Sequence, residues 1–146
     1  LPSSVQLIVN DRINVAARCQ TGLHVGEDDV SPRIARQRLG PDAFIGVTIH
    51  RNIERAKYCA AWANYVGVGP IFQTQTKVNT KTIVGVEGLR ALAQECPLPV
   101  AAIGGITEDR APDVWAAGPR SLAVCGAIMN AEDPARAAQR RHRRRC

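Results

Sequence analysis

The 146-residue sequence has few aromatic residues, no closely paired cysteines and no long apolar run. Aromatic residues make up only 4% of the chain, which argues against nucleic-acid modules that stack bases on aromatic rings. The five cysteines form no Cys-x-x-Cys pair, which argues against a zinc site and a disulfide framework. No run approaches the roughly 18 apolar residues of a membrane span, and no signal-peptide pattern is present. We therefore expect an intracellular, cytoplasmic protein that binds neither nucleic acid nor a membrane.

The chain also lacks the Gly-x-Gly-x-x-Gly turn of dinucleotide-binding folds, which disfavours a nicotinamide enzyme. Its net charge of +6 is confined to the C-terminal end, because residues 136–146 hold six arginines and no acid. Residues 1–135 are consequently neutral, and we treat them as one domain followed by an Arg-rich tail at 136–146. Such a tail could bind RNA or acidic lipid, but a solvated helix end is the simpler interpretation, and we assign the tail no function.

Short apolar runs alternate regularly with longer amphipathic segments, which is the pattern of repeated βα units. The pattern predicts strands at residues 5–9, 22–25, 44–48, 64–68, 99–103 and 121–125, and helices at 32–39, 52–63, 86–96, 108–117 and 133–141. Strands joined by crossover helices form a parallel sheet. Periodicity alone leaves open whether the sheet is doubly wound or closed into a barrel.

Polar side chains follow the carboxyl ends of the predicted strands, where active sites lie in both kinds of α/β fold. Asn10 and Asp11 follow the first strand, and Asp29 ends an acidic trio after the second. Two carboxylates suit Mg²⁺, which completes its octahedron with water and phosphate oxygens. Alternatively, Asp11 caps the next helix and the acidic trio solvates a loop.

Three further segments carry groups that can bind phosphate oxygens. Residues 67–77 run from a strand end into a loop that carries Thr74, Thr76 and Lys77. Hydroxyl donors, backbone amides and one lysine are typical of phosphate-binding loops. The glycine pair at 104–105 precedes a predicted helix start, and the Cys125-Gly126 pair follows the last predicted strand. Strand-end glycines followed by helix N-termini form a phosphate site, although tight turns explain such glycines equally well.

These segments together resemble thiamine phosphate synthases. The resemblance runs in family order over about residues 5–135, and its most specific part is the stretch from Gly-Pro-Ile-Phe to Thr-Lys. The matching segments are residues 7–12 (LIVNDR), 22–29 (GLHVGEDD), 45–48 (IGVT), 64–77 (NYVGVGPIFQTQTK) and 100–107 (VAAIGGIT).

The resemblance implies a (β/α)₈ barrel, the TIM-barrel fold, and a Mg²⁺-dependent transferase. Such an enzyme joins a hydroxymethylpyrimidine diphosphate to a thiazole phosphate and releases diphosphate. The resemblance further implies that the carbon–oxygen bond of the pyrimidine substrate breaks first and that the thiazole nitrogen captures the resulting cation. A reaction of this kind needs stabilisation of its leaving group more than it needs a base.

By position, the resemblance also implies roles for individual residues. Asp11 and Asp29 would bind Mg²⁺, and Asn10 would bind the pyrimidine substrate. Thr48 and Lys77 would bind the departing diphosphate and carry the catalysis. The thiazole phosphate would be bound by Thr74, Thr76, Gly105 and the backbone around Cys125 and Gly126.

The chain departs from the family pattern at its beginning, which looks like the third strand of the barrel, so that about six of eight βα units are expected. The two absent units include a Gln-x-Arg-x-Lys type segment that binds the pyrimidine diphosphate in the family. Two alternatives stay open: a thiazole tautomerase that would use His50, and an inactive remnant that binds thiazole phosphate. Full-length relatives make a homo-oligomer plausible.

Overall fold

The computed structural model describes residues 5–74 and 82–143 of the chain. Strands and helices alternate along these residues as predicted. The strands are β1 (Ile8–Asn10), β2 (Gly22–Val25), β3 (Ile45–Thr48), β4 (Tyr65–Val68), β5 (Val100–Ile103) and β6 (Ser121–Ala123). The helices are α1 (Ile13–Cys19), α2 (Pro32–Leu39), α3 (Ile53–Cys59), α4 (Gly85–Glu95), α5 (Ala111–Ala116), α6 (Gly126–Met129) and α7 (Pro134–Arg143). None of the helices in the described ranges is long and apolar enough to cross a membrane.

All six strands are parallel and lie in one sheet in the order β1-β2-β3-β4-β5-β6. A doubly wound sheet reverses its strand order at a switch point, and this order never reverses. The sheet curls into a half-barrel. The barrel alternative left open by the periodicity is therefore the one that the topology favours.

The six predicted strands are confirmed in position, but β1 begins at Ile8 and includes Asn10, and β6 ends at Ala123, two residues earlier than predicted. The helix predicted at 32–39 has the same bounds as α2. Local sequence signals explain that helix well. Ser31 accepts a hydrogen bond from the amide of Ile34, and Pro32 occupies the first turn, where its missing N–H does no harm. The helix predicted at 52–63 begins at Ile53 under an Asn52 cap but ends at Cys59, and residues 60–62 form turns.

Two helices were not predicted from the sequence, and one helix begins later than expected. The missed helices α1 and α6 have only seven and four residues, and neither has a side-chain cap. Such short segments carry little amphipathic pattern. The helix expected to begin at Glu108 begins at Ala111 instead. The Gly104-Gly105 pair is therefore followed by a turn and not directly by a helix N-terminus.

Alternate residues of each strand face the helices and form the core. Leu23 and Val25 of β2, Val47 of β3, and Val66 and Val68 of β4 are fully buried there. Burying a side chain of this size stabilises the fold by about 1.5–3 kcal/mol. The described helices cover only the outer face of the sheet, so the inner face takes no part in this core.

The inner face is built from the residues between those core positions, and most of its side chains are small or polar, with Ile8 and Ile103 as larger apolar members. Gly22, Gly46, Gly67 and Ala101 lie on it, together with the polar residues Asn10, His24, Thr48 and Tyr65. The parallel register places them in rows, because His24 pairs with Gly46 and Gly46 pairs with Tyr65. Small residues on this face leave room for a cavity.

Candidate active site

A cavity of about 510 Å³ lies against the inner face of the curled sheet and reaches the loops beyond the strand ends. Its size is that of a small-molecule site. Every strand contributes to its wall, and the contributing residues include Asn10, His24, Thr48, Tyr65, Ile103 and Ala123. The concave face therefore gathers side chains that are far apart in the sequence.

All the predicted substrate-binding residues that the structure describes line this one cavity. They are Asn10, Thr48, Thr74, Gly105, Cys125 and Gly126. The two others, Thr76 and Lys77, lie outside the described residues. The geometry thus brings together residues from five different strand ends, and their individual roles stay predictions.

The two predicted metal ligands follow the neighbouring strands β1 and β2. Asp11 has a left-handed backbone, with φ 61°, and its amide donates to the carbonyl oxygen of His24 at 2.8 Å. One carboxylate oxygen of Asp29 accepts from the amide of Gly26 at 2.8 Å. The alternative in which Asp11 caps α1 is wrong, because Arg12 occupies the cap position and α1 has no side-chain cap hydrogen bond.

Neither Asp11 nor Asp29 is among the residues that line the cavity, and their binding of Mg²⁺ stays a prediction. Within residues 5–74 and 82–143, no group of three or more His, Cys, Asp or Glu side chains is placed to hold a metal by itself. Mg²⁺ does not require such a group, since it takes one or two carboxylates and keeps water or phosphate oxygens at its other positions. Asp11 directly follows β1 and Asp29 lies in the loop after β2, so these two carboxylates are the candidates for such a site.

His24 is the central site residue that the sequence patterns did not single out. Its Nδ1 lies 2.9 Å from the hydroxyl oxygen of Tyr65, and its Nε2 lies 2.9 Å from Oγ1 of Thr48. The signal that could have found His24 is the alternation of β2, in which the residues on either side of it, Leu23 and Val25, are both apolar and buried. A polar residue between two core positions must face the other side of the sheet.

Glycines make space for this group of side chains. A Cβ atom at Gly46 would collide with the ring of Tyr65, and one at Gly67 would lie 3.1 Å from Cε1 of His24. Phe44 stacks on the Tyr65 ring with centroids 5.4 Å apart. Burial raises the pKa of the Tyr65 hydroxyl, so the phenol keeps its proton at neutral pH.

Two predicted phosphate-binding segments are joined by backbone hydrogen bonds. The amides of Ile71 and Phe72 donate to the carbonyl oxygens of Ile103 and Gly104, each at 3.0 Å. Gly105 has a φ of +65°, and a Cβ atom there would lie 2.6 Å from the carbonyl oxygen of Gln73. Gly105 is therefore required for the close approach of the hydroxyl-rich loop to the end of β5.

His50, the histidine of the tautomerase alternative, also lines the cavity. Its backbone is left-handed, with φ 47°, and its Nδ1 lies 2.6 Å from the carbonyl oxygen of Gly69. A carbonyl oxygen only accepts hydrogen bonds, so Nδ1 of His50 carries a proton.

Arg55 is a second residue that the sequence patterns did not reveal. From α3, its Nε donates to the carbonyl oxygen of Thr48 at 3.1 Å and its Nη2 donates to the carbonyl oxygen of Gly26 at 3.0 Å. Gly26 in turn donates its amide to Asp29. One guanidinium thus connects the loop that carries Asp29 to the end of the strand that carries Thr48.

Comparisons with known proteins give the family. A family model described as thiamine monophosphate synthase, TMP-TENI, matches residues 2–128. The chain is 41% identical over 138 residues to a thiamine-phosphate synthase of Chloroflexus aurantiacus, covering 94% of this chain and 63% of that protein. A thiamine-phosphate synthase of Vibrio campbellii is 38% identical over 138 residues, covering 94% of this chain and 68% of that protein. The chain therefore spans about two thirds of the length of these relatives.

Solved structures agree with these sequence comparisons. The thiamine phosphate pyrophosphorylase from Pyrococcus furiosus superposes with a TM-score of 0.83 at 31% identity, covering 95% of this chain and 66% of that one. A 3-hexulose-6-phosphate synthase superposes with a TM-score of 0.64 at 23% identity, which reflects the fold alone. With a family model matched over most of its residues, the chain belongs to the thiamine monophosphate synthase family.

Proposed function

We propose that the chain acts as a thiamine phosphate synthase, a transferase that joins a hydroxymethylpyrimidine diphosphate to a thiazole phosphate. The observation that carries the proposal is the convergence of the six described substrate-binding candidates on one cavity of about 510 Å³. Relatives of about 40% identity bear the name of this activity. The products are thiamine phosphate and diphosphate.

In the proposed reaction, the carbon–oxygen bond to the diphosphate breaks and the diphosphate leaves with the bonding electrons. The thiazole nitrogen then donates its lone pair to the pyrimidine methylene carbon, forming the new carbon–nitrogen bond. Negative charge develops on the departing oxygens, so donors placed there lower the barrier. Thr48 contributes a hydroxyl at the rim of β3, and Lys77, outside the described residues, contributes a positive charge.

Asp11 and Asp29 would hold Mg²⁺, whose charge stabilises a departing diphosphate. Their positions after β1 and β2 support this role, because both strands border the same end of the cavity as Thr48. Asn10 lines the cavity one residue before Asp11 and would contact the pyrimidine ring. The two phosphate-binding loops around Thr74 and Gly105 would hold the thiazole phosphate.

We also propose that the six βα units belong to a (β/α)₈ barrel within residues 1–135, with residues 136–146 as a separate Arg-rich tail. The sequential strand order and the superposition on 66% of the Pyrococcus furiosus chain support the barrel. The described part of the tail lies in α7, which packs against α6.

The test is thiamine phosphate formation by the purified chain, supplied with both phosphorylated substrates and Mg²⁺ and analysed by chromatography and mass spectrometry. Excess chelator is expected to abolish the product, and Asp11→Asn and Asp29→Asn to raise the Mg²⁺ concentration needed for half-maximal rate. No product from a folded sample would refute the proposal. Thiazole phosphate binding without turnover would then favour the inactive alternative, and isomerisation of a thiazole substrate that requires His50 would favour the tautomerase.

A further inference from the structure

Three side chains from adjacent strands form a continuous hydrogen-bonded chain on the wall of the cavity. His24 of β2 and Tyr65 of β4 lie in one row of the sheet, with Gly46 of β3 between them. Because Gly46 has no side chain, the two rings meet above it, with centroids 5.5 Å apart. Thr48 lies one row further along β3, where Nε2 of His24 reaches its hydroxyl.

A neutral imidazole has one donor nitrogen and one acceptor nitrogen, so this chain has a direction. With the proton on Nδ1, the ring donates to Tyr65 and accepts the single hydroxyl proton of Thr48 at Nε2. Thr48 then offers a ligand only lone pairs. With the proton on Nε2, the ring donates to Oγ1 of Thr48, and the hydroxyl proton of Thr48 remains available to the cavity.

The chemistry of the two hydroxyls decides between these tautomers. A phenol is a far stronger acid, and hence a stronger hydrogen-bond donor, than an aliphatic alcohol. The acceptor nitrogen therefore pairs better with Tyr65 than with Thr48. The phenol also remains protonated at neutral pH, because burial raises the pKa of Tyr65. Both properties favour donation from Tyr65 to Nδ1.

We infer that Tyr65 and His24 are positioning residues, which hold the Thr48 hydroxyl as a hydrogen-bond donor aimed into the cavity. The order of donation is Tyr65 to His24, His24 to Thr48, and Thr48 to an anionic oxygen of the ligand. The effect on turnover rests on the proposed function, since Thr48 is the residue assigned to the departing diphosphate. The tautomer of His24 does not depend on that assignment.

The first test is the ¹⁵N NMR spectrum of the histidine rings in the ligand-free protein at about pH 8, above the ordinary histidine pKa. The three histidines are assigned with His50→Gln and His142→Gln variants. We expect an acceptor-type signal at Nδ1 and a protonated, donor-type signal at Nε2 of His24. The opposite tautomer, or protonation of both nitrogens, would overturn the inference even if the chain shows no synthase activity.

The second test compares two Tyr→Phe variants, since the chain has two tyrosines. Tyr65→Phe keeps the ring and removes the donor, so we expect kcat to fall about tenfold, which is the size of one lost hydrogen bond. The KM values for both substrates should stay within about twofold of wild type. The control Tyr58→Phe removes an exposed hydroxyl from α3 and should leave kcat unchanged.

The two effects should not add in a double variant. Thr48→Val has no hydroxyl to orient, so Tyr65→Phe is expected to cause no further loss of kcat in that background. A full tenfold loss of kcat on adding Tyr65→Phe to Thr48→Val would show that Tyr65 does not act through Thr48. The same conclusion would follow if wild type is active and Tyr65→Phe has an equal kcat.

Discussion

Replacing Arg55 with methionine tests whether one guanidinium holds the loops of the site together. Methionine keeps most of the aliphatic stem and removes the hydrogen bonds to the carbonyl oxygens of Thr48 and Gly26, at 3.1 and 3.0 Å. A hydrogen bond from a charged donor contributes about 1.5–3 kcal/mol. Both acceptors are partly open to water, so we expect the free energy of unfolding to fall by about 2–3 kcal/mol, and Tm by about 7 °C.

The matched control for this change is Lys57→Met on the same helix. Lys57 pairs with Glu54 at 2.7 Å, but the two side chains are 54% and 75% exposed. Exposed ion pairs contribute little, so Lys57→Met should lose much less stability than Arg55→Met. Urea unfolding monitored by circular dichroism measures both variants. If Arg55→Met loses no more stability than Lys57→Met, the guanidinium does not tie the strand ends together.

Arg55→Met should also weaken the proposed cation site, since Gly26 connects Arg55 to Asp29. We expect the Mg²⁺ concentration for half-maximal synthase activity to rise several-fold relative to Lys57→Met. An unchanged Mg²⁺ response in a destabilised Arg55→Met variant would separate the structural role of this arginine from any role in the site.

Three further substitutions give independent checks. Arg36→Met removes a guanidinium that donates to several backbone carbonyl oxygens, so the free energy of unfolding should fall by about 2–3 kcal/mol. Arg38→Met in the same helical turn should lower it by less than about 0.5 kcal/mol. Urea unfolding measures both variants. Gly105→Ala places a Cβ atom 2.6 Å from the carbonyl oxygen of Gln73, so calorimetry of thiazole phosphate binding should show at least about a tenfold loss of affinity. Burial raises the pKa of the Cys59 thiol, so the contribution of Cys59 to stability should be constant below the ordinary thiol pKa and should fall as the pH rises above it. Urea unfolding at about pH 8 and about pH 10 should therefore show a smaller loss of stability between the two pH values for Cys59→Ala than for wild type.

The sequence predicted those features of the fold that depend on neighbouring residues. Alternating runs such as residues 44–48 predicted strands, and the Ser31-Pro32 signal predicted the start of α2. Placement of Asn10 and Thr48 at the cavity was also predictable, because a strand end is a local feature and parallel strands bring their carboxyl ends together. The short helices α1 and α6 lacked both amphipathic length and caps.

The contacts within the site were not predictable in the same way, because they join residues distant in sequence. His24 and Tyr65 are 41 positions apart, and their contact requires both the strand order and the register that places Gly46 between them. Arg55 reaches Gly26 across 29 positions. A single sequence records that these residues are polar or basic, but it does not record which partner each one meets.

Asp11 and His50 share a backbone feature that limits how stable this chain can become. Both are left-handed at the ends of strands, with φ 61° and φ 47°, although neither is a glycine. That conformation costs a residue with a Cβ atom about 1–2 kcal/mol relative to glycine. Selection for stability alone would therefore favour glycine at both positions and erase a proposed metal ligand and a cavity histidine. A variant library screened only for heat resistance should accumulate these substitutions, whereas one screened for turnover should reject Asp11→Gly.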